Sequence, residues 1–317
     1  MSQPVNIVTL TPNPALDLST AVDRVEPVRK LRCEAARFDP GGGGVNVARV
    51  VHRLGGAVQA IYPAGGPAGA RLTTLLAREG LASGAVPIAG ETRESFTVTD
   101  RGDGAEYRFV LPGPSLSPAE WRACLNAVLA RAPAGGLVVV SGSLPPGVPP
   151  SALADLARRV RESGLRLAAD SSGPALAAVL EAGVWLVKPS LRELCELTGL
   201  PLPDLATRLA ACRALIAAGS AEIVALSLGD EGALLVTANE AFSARALAVR
   251  PVSTVGAGDS FLGGLLWGIT RDLPMADCLR QAMAAGAAAL LSPGTGLCRP
   301  EDVQRLAGEV EVERLPA

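Results

Sequence analysis

The sequence predicts an α/β protein: a mainly parallel central sheet with helices on both faces, plus a small β-sheet lid. Strand-like runs alternate with helix-like runs for most of the 317 residues, which is the rhythm of βα units. Several apolar runs end in Gly or polar residues at their carboxyl ends, where open α/β sheets place their ligands. Aromatic residues make up only 3% and charged residues 19%, while Ala, Leu, Val and 35 Gly dominate, so the mix is that of a packed globular chain and not of a disordered one. At this length a fold buries roughly three quarters of the unfolded surface, and its core needs no disulfide staples.

VNIVTL (5–10) reads as the first strand and residues 45–54 as a helix. GLVVVSGSL (136–144) is a buried strand, followed by a helix after Pro150. LRLAADSS (165–172), VWLVKPS (184–190) and EIVALSLG (222–229) are further strands with polar carboxyl ends. Residues 14–39 and 91–112 break the rhythm with short alternating segments, the second around a Gly-Asp-Gly turn that suits a hairpin. They form the expected lid, and residues 1–13, 40–90 and 113–317 the expected core. No repeat, low-complexity tract or long linker separates independent units.

Lys and Arg number 29 against 31 Asp and Glu, so the formal charge of -2 gives no general field for nucleic acid or an anionic membrane, and neither is an expected partner. A single histidine, His52, excludes chemistry built on several, and it is read as structural. Cys33, Cys124, Cys195, Cys212, Cys278 and Cys298 are scattered, with no CxxC spacing, which argues against a zinc site or redox pair and for buried thiols in a reducing compartment. The first residues lack a basic, apolar leader, and no stretch approaches about 18 apolar residues, so a soluble cytoplasmic protein is expected.

The densest chemical signal is STVGAGDSFLGGLLWGI (253–269). Gly256, Ala257 and Gly258 are expected to turn a strand into a helix beginning near Asp259, with backbone N–H groups converging on one point where the helix dipole favours an anion. A carboxylate beside such a hole is placed to take a proton from a hydroxyl while the N–H groups hold a phosphoryl group. The plainer alternative is that Asp259 is an N-cap. The second signal is PGGGGVNVARVVHRLGG (40–56), where glycines allow close backbone approach and Asn46 offers a donor and an acceptor to a sugar hydroxyl. A tight turn with ordinary packing is the alternative there. No GxGxxG follows the first strand, which argues against a nicotinamide enzyme.

Together these motifs resemble the ribokinase-like, or PfkB-type, carbohydrate kinase family. The resemblance spans nearly the whole chain, on TPNPALD (11–17), KLRC (30–33), PGGGGVNVAR (40–49), SGSLPPG (141–147), DSSG (170–173), SLG (227–229) and TVGAGDS (254–260). It implies a ribokinase-like fold and a kinase that uses ATP with Mg²⁺, and leaves open a monovalent cation. It is nearest to the branch that phosphorylates fructose 6-phosphate at the 1-hydroxyl to fructose 1,6-bisphosphate, a glycolytic step. By resemblance Asp259 is the base, and Gly256, Ala257 and Gly258 form the anion hole. Asp17, Gly42, Gly43 and Asn46 hold the sugar, while Lys30, Arg93, Arg108 and Ser143 surround its phosphate. Lys188, Ser190, Ser227, Gly229, Gly232 and Thr254 fall to the nucleotide, and Glu193 to the metal. The family's Asn-x-x-Glu motif is altered here, because Ser190 stands in place of Asn. A phosphorylated ketohexose is the implied partner, with a homodimer through the lid. Fructose 1-phosphate or tagatose 6-phosphate as acceptor, and a catalytically silent sugar-phosphate binding protein, are the alternatives. Family members that take those two acceptors usually carry Lys within the glycine loop, so the resemblance, with Gly41 to Gly44 uninterrupted here, favours the 6-phosphate, and intact Asp259 favours turnover.

Overall fold

The computed structural model describes residues 6–316. The chain begins with β1 (Ile7–Leu10), leaves the core for β2 (Ala15–Val22) and β3 (Arg37–Gly41), and returns as α1 (Gly43–Arg53). β4 (Val58–Ala64), α2 (Gly66–Arg78) and β5 (Ser83–Pro87) follow, and a second excursion makes β6 (Arg93–Asp100) and β7 (Glu106–Val110). Next come α3 (Pro118–Leu129), β8 (Leu137–Ser141), α4 (Ser151–Glu162), β9 (Arg166–Asp170), α5 (Gly173–Ala182) and β10 (Val184–Val187). α6 (Leu191–Thr198), α7 (Leu205–Ala217), β11 (Ala221–Ser227), β12 (Ala233–Thr237) and β13 (Ala241–Ala244) continue the chain. The last elements are α8 (Ala257–Ile269), α9 (Met275–Leu290), α10 (Pro300–Ala307) and β14 (Val312–Leu315).

The large sheet has ten strands in the order β14-β13-β12-β11-β10-β9-β8-β1-β4-β5. β5 through β11 are mutually parallel across that order, and β12, β13 and β14 add antiparallel pairs at one edge. Helices cover both faces, so neighbouring residues of one strand enter different cores. Leu137 and Val139 of β8 join the core under α1, α8 and α9, while Val138 and Val140 join the one under α3, α4 and α5. Two-sided burial explains why β8 reads as an unbroken apolar run, and each such side chain contributes roughly 1.5–3 kcal/mol. The small residues where α8 meets α9 have a packing cause of their own. α8 and α9 approach so closely that a Cβ at Gly264 would lie 2.8 Å from Ala285 Cβ, leaving room for small residues only.

The small sheet has the order β3-β2-β6-β7, with β2 parallel to β6 and the outer pairs antiparallel. Its register sorts the side chains by chemistry. Asp17 pairs with Asp39 and Ser95, and Thr97 with Arg108, on one face; Leu18 pairs with Phe38 and Phe96, and Phe96 with Phe109, on the other. The sheet is thus polar on one side and apolar on the other.

Some expectations need correction. The first strand starts at Ile7, and Val5 lies outside the described residues. The strand within 136–144 ends at Ser141, where Gly142 turns away at φ +110. No strand leads into the Gly256 motif: β13 ends at Ala244, residues 245–256 are irregular, and α8 starts at Ala257. The strand before it, β13, is already flanked by β12 and β14, so the segment cannot add a strand beside β13. Cys124, Cys212, Cys278 and Cys298 are buried, but Cys195 is half-buried and Cys33 exposed; all six thiols are free. No described helix is long and apolar enough to cross a membrane.

Candidate active site

The carboxyl ends of β8 and β9, the amino ends of α1 and α8, and the polar face of the small sheet enclose one cleft of about 240 Å³. Asp17, Gly42, Gly43, Asn46, Arg93, Arg108, Ser143, Glu193 and Asp259, all singled out in the sequence, line it together.

The glycine run is dictated first by the protein itself. A Cβ on Gly41 would collide with the Asp17 carboxylate, and one on Gly43 with Ser141 Oγ. The loop is pressed between β2 and the end of β8, and that contact fixes one wall of the cleft. α1 then begins, and Asn46 in its first turn donates from Nδ2 to Asp259 Oδ2 at 2.8 Å. Asn46 Oδ1 and Arg93 Nε, both on the cleft, are buried without a partner. Buried polar atoms without a protein partner are places where a water or a polar ligand group is accommodated.

α8 is capped by Gly256, left-handed at φ +77, with no side chain bonding its first N–H groups. A Cβ at Gly256 would also meet Leu297 Cδ2 at 2.5 Å, so glycine is required twice over. Asp259 is two residues inside the helix and is not the N-cap, which removes the plainer alternative. Its carboxyl is half-buried, and its pKa is pushed up to about 6. Burial is the main cause and the neighbouring Asp170 the next; the Asn46 hydrogen bond, Lys188 and Arg108 oppose them. Asp17 is also raised to about 6, by burial and by Asp39, against the pull of Arg108 and Arg93.

Arg93 starts β6, and its Nη1 and Nη2 donate to the carbonyls of Leu111 at 3.1 Å and Asn13 at 2.9 Å. It therefore ties together the points where the chain passes between the two sheets. Arg108 reaches the cleft from β7.

Residues 13–302 match the model of the pfkB family of carbohydrate kinases. This chain belongs to that family. It is 46% identical over 299 residues to the ATP-dependent 6-phosphofructokinase isozyme 2 of Mycobacterium tuberculosis, covering 94% of this chain and 88% of that protein. It is 40% identical over 303 residues to the Escherichia coli protein of the same name, covering 95% and 98%. The crystal structure of phosphofructokinase-2 from Escherichia coli in complex with substrates and products superposes with a TM-score of 0.93, at 39% identity, over 96% of this chain and 99% of that one.

The other residues that the pfkB resemblance marks lie outside the cleft lining. Lys188 is buried beyond it, 3.1 Å from Asp170 Oδ1. Burial works against its charge, but Asp170, with Glu193 and Asp259 nearby, holds its pKa above the ordinary lysine value. Its Nζ would lie 3.8 Å from a Cβ on Gly258, so it borders the α8 turn. Ser190 caps α6: its Oγ accepts from Glu193 N at 3.3 Å, while Glu193 Oε2 accepts from Ser190 N at 2.8 Å. A hydroxyl serves that capping box well, which gives the departure from Asn a structural reason. Ser227 ends β11 and bridges to Ser190. Gly229 and Gly232 flank the short turn after it, and Thr254 is exposed before Gly256. Lys30 is exposed on the irregular segment between β2 and β3 and does not reach this cleft.

Sequence reasoning gave no role to Asp170, Ser141, Ser171, Ser172 and Ser95, all of which line the cleft. The polar ends of β8 and β9 were the signal for the first four. No group of three or more His, Cys, Asp or Glu comes together as a metal cage among the described residues. Asp170 and Glu193 nevertheless both face the cleft, and a magnesium ion that keeps several waters needs only one or two carboxylates. The donor set fits a hydrated Mg²⁺.

Proposed function

We propose that this chain transfers the γ-phosphoryl group of ATP to the 1-hydroxyl of fructose 6-phosphate. The observation that carries the proposal is that one polar cleft holds a carboxylate of raised pKa at a bare helix N-terminus together with two arginines from the facing sheet. The names of the 46% and 40% identical relatives agree with it.

In this scheme Asp17, Asn46 and the Gly42–Gly43 backbone hold the sugar, and Arg93, Arg108 and Ser143 take its phosphate, because guanidinium forks match phosphate oxygens. Asp259 accepts the hydroxyl proton, and the N–H groups at Gly256, Ala257 and Gly258 hold the transferring phosphoryl group. Lys188, Ser190, Ser227, Gly229, Gly232 and Thr254 border the nucleotide. Glu193 and Asp170 would hold the hydrated Mg²⁺, which offsets phosphate charge when bound. Residues 14–39 and 91–112 act as the lid. Its outer face carries Phe38, Phe96, Tyr107 and Phe109, the last two exposed, and supports a homodimer formed lid to lid. Six free thiols fit a cytoplasmic setting.

Coupled ADP release should be measured with fructose 6-phosphate, fructose 1-phosphate, tagatose 6-phosphate and free fructose. The expected order places fructose 6-phosphate first in kcat/KM. Preference for another sugar phosphate reassigns the acceptor, and binding without turnover on any of them makes the chain a silent sugar-phosphate binder.

A further inference from the structure

Arg49 is a charged side chain sealed inside the protein, 1% exposed, and no step above uses it. It sits on α1 one turn beyond Asn46. Its Nη1 donates to two carbonyls at once, Pro40 at 2.9 Å and Thr295 at 3.1 Å. Pro40 immediately precedes the glycine run. Thr295 lies in the short turn Gly294–Gly296, just before Leu297, the side chain packed against Gly256. One guanidinium nitrogen therefore joins the loop on the sugar side of the cleft to the segment that backs the α8 turn. The rest of the fork is held by Glu79, whose carboxylate accepts from Nη2 at 2.6 Å and from Nε at 3.0 Å.

Stability alone does not call for this arrangement, since a well-packed apolar residue serves a core as well as a buried ion pair. What an apolar residue cannot do is hold two carbonyls of distant segments on one atom. We propose that Arg49 is a positioning residue: it fixes the distance between the glycine loop, which carries the acceptor, and the α8 turn, which carries the transferring phosphoryl group. The proposal rests on the kinase reading above. It matters because misplacement of reacting groups by about 1 Å can cost on the order of 10²-fold in rate.

Two variants separate positioning from support. Arg49→Lys keeps the charge but cannot offer a planar fork to two carbonyls and a carboxylate together. Glu79→Gln removes the ion pairs that Glu79 makes with Arg49 and Arg53, yet leaves an oxygen for Arg49 Nη2 and leaves the Arg49 Nη1 bonds untouched. The expected result is that R49K lowers kcat by about 10- to 100-fold with little change in either KM. E79Q should lower the melting temperature at least as much as R49K while keeping its kcat. Hydrogen exchange on the same proteins, without substrate, should be faster in R49K at residues 41–44 and 294–297. Losses of kcat that follow losses of stability in both variants overturn the proposal, as does wild-type kcat in R49K or unchanged exchange at either segment. If the wild-type chain phosphorylates no sugar phosphate, the kinase reading fails, and the exchange measurement still decides whether Arg49 joins the two segments.

Discussion

A carboxylate held half-buried beside Asp170 is destabilised whenever it is ionised, and Asp259 is in that position. Its pKa rises from 3.8 to about 6 on folding, so the fold binds this proton more tightly than the unfolded chain does. The contribution to stability is complete below about pH 4 and is lost as the pH climbs through about 6. Asp259→Asn should therefore melt at a higher temperature than the wild type near pH 8, with the gap closing toward pH 4. Turnover should fall about 10²- to 10⁴-fold, the usual range for losing a general base. Melting curves at the two pH values, with a turnover assay, check both halves; a variant with normal turnover removes Asp259 from the base role. Arg108→Ala should raise the KM for fructose 6-phosphate about 10-fold or more, because hydrogen bonds to charged groups are worth roughly 1.5–3 kcal/mol, with the KM for ATP little changed. Arg93→Ala should add a loss of stability, since its bonds to Asn13 and Leu111 go with it. Asp259 and Asn46 were legible because a glycine run beside a polar residue has local meaning. Arg93 and Arg108 were not readable one by one, since an isolated basic residue in an alternating segment looks like any solvated charge, and only the family resemblance grouped them.

Helix starts illustrate how one residue can carry two duties. Ser190 and Glu193 satisfy each other in the capping box of α6, so Ser190→Ala should cost about 1 kcal/mol of stability without moving the Mg²⁺ dependence. Glu193→Gln can keep the cap, because its amide oxygen still accepts from Ser190 N, but it removes the charge that attracts a hydrated dication. Titrating activity against Mg²⁺ at fixed ATP should show a shift to higher concentration for E193Q and none for S190A; equal curves take Glu193 out of metal binding. The parallel strands β8, β9, β10 and β11 were legible because burial on both faces leaves continuous apolar runs with polar ends. The irregular stretch 245–256 was not. Its sequence carries an apolar run, but whether such a run pairs depends on a free sheet edge, and that is decided by strands far away in the chain.

For the molecule as a whole, the two-faced small sheet sets the expectation for assembly. Its polar side lines the cleft, and its other side exposes Tyr107 and Phe109. On the proposed lid-to-lid dimer, Phe109→Asp should shift sedimentation velocity from dimer to monomer, since a charge on that face cannot be buried unpaired. A variant that sediments like the wild type places the interface elsewhere. The pattern of a large sheet with an inserted second one was visible in the sequence as two breaks in the βα rhythm. That the two breaks come together as one lid was legible too; that they do so through β2 and β6, side by side and parallel, was not.

That pairing has a kinetic side. β2 meets β6 in parallel, Ala15 opposite Arg93, and the whole of α1, β4, α2 and β5 lies between them in the chain. β1, in turn, waits for β8, Ile7 opposite Leu137. Contacts between such distant segments form late, because the loop they close must be ordered first. During synthesis the first strand to emerge has an unpaired edge until more than a third of the protein has followed it. In refolding, helical signal should return well before phosphoryl transfer does, and the interval between them is when the apolar face of the small sheet has nothing to keep it from the wrong neighbour.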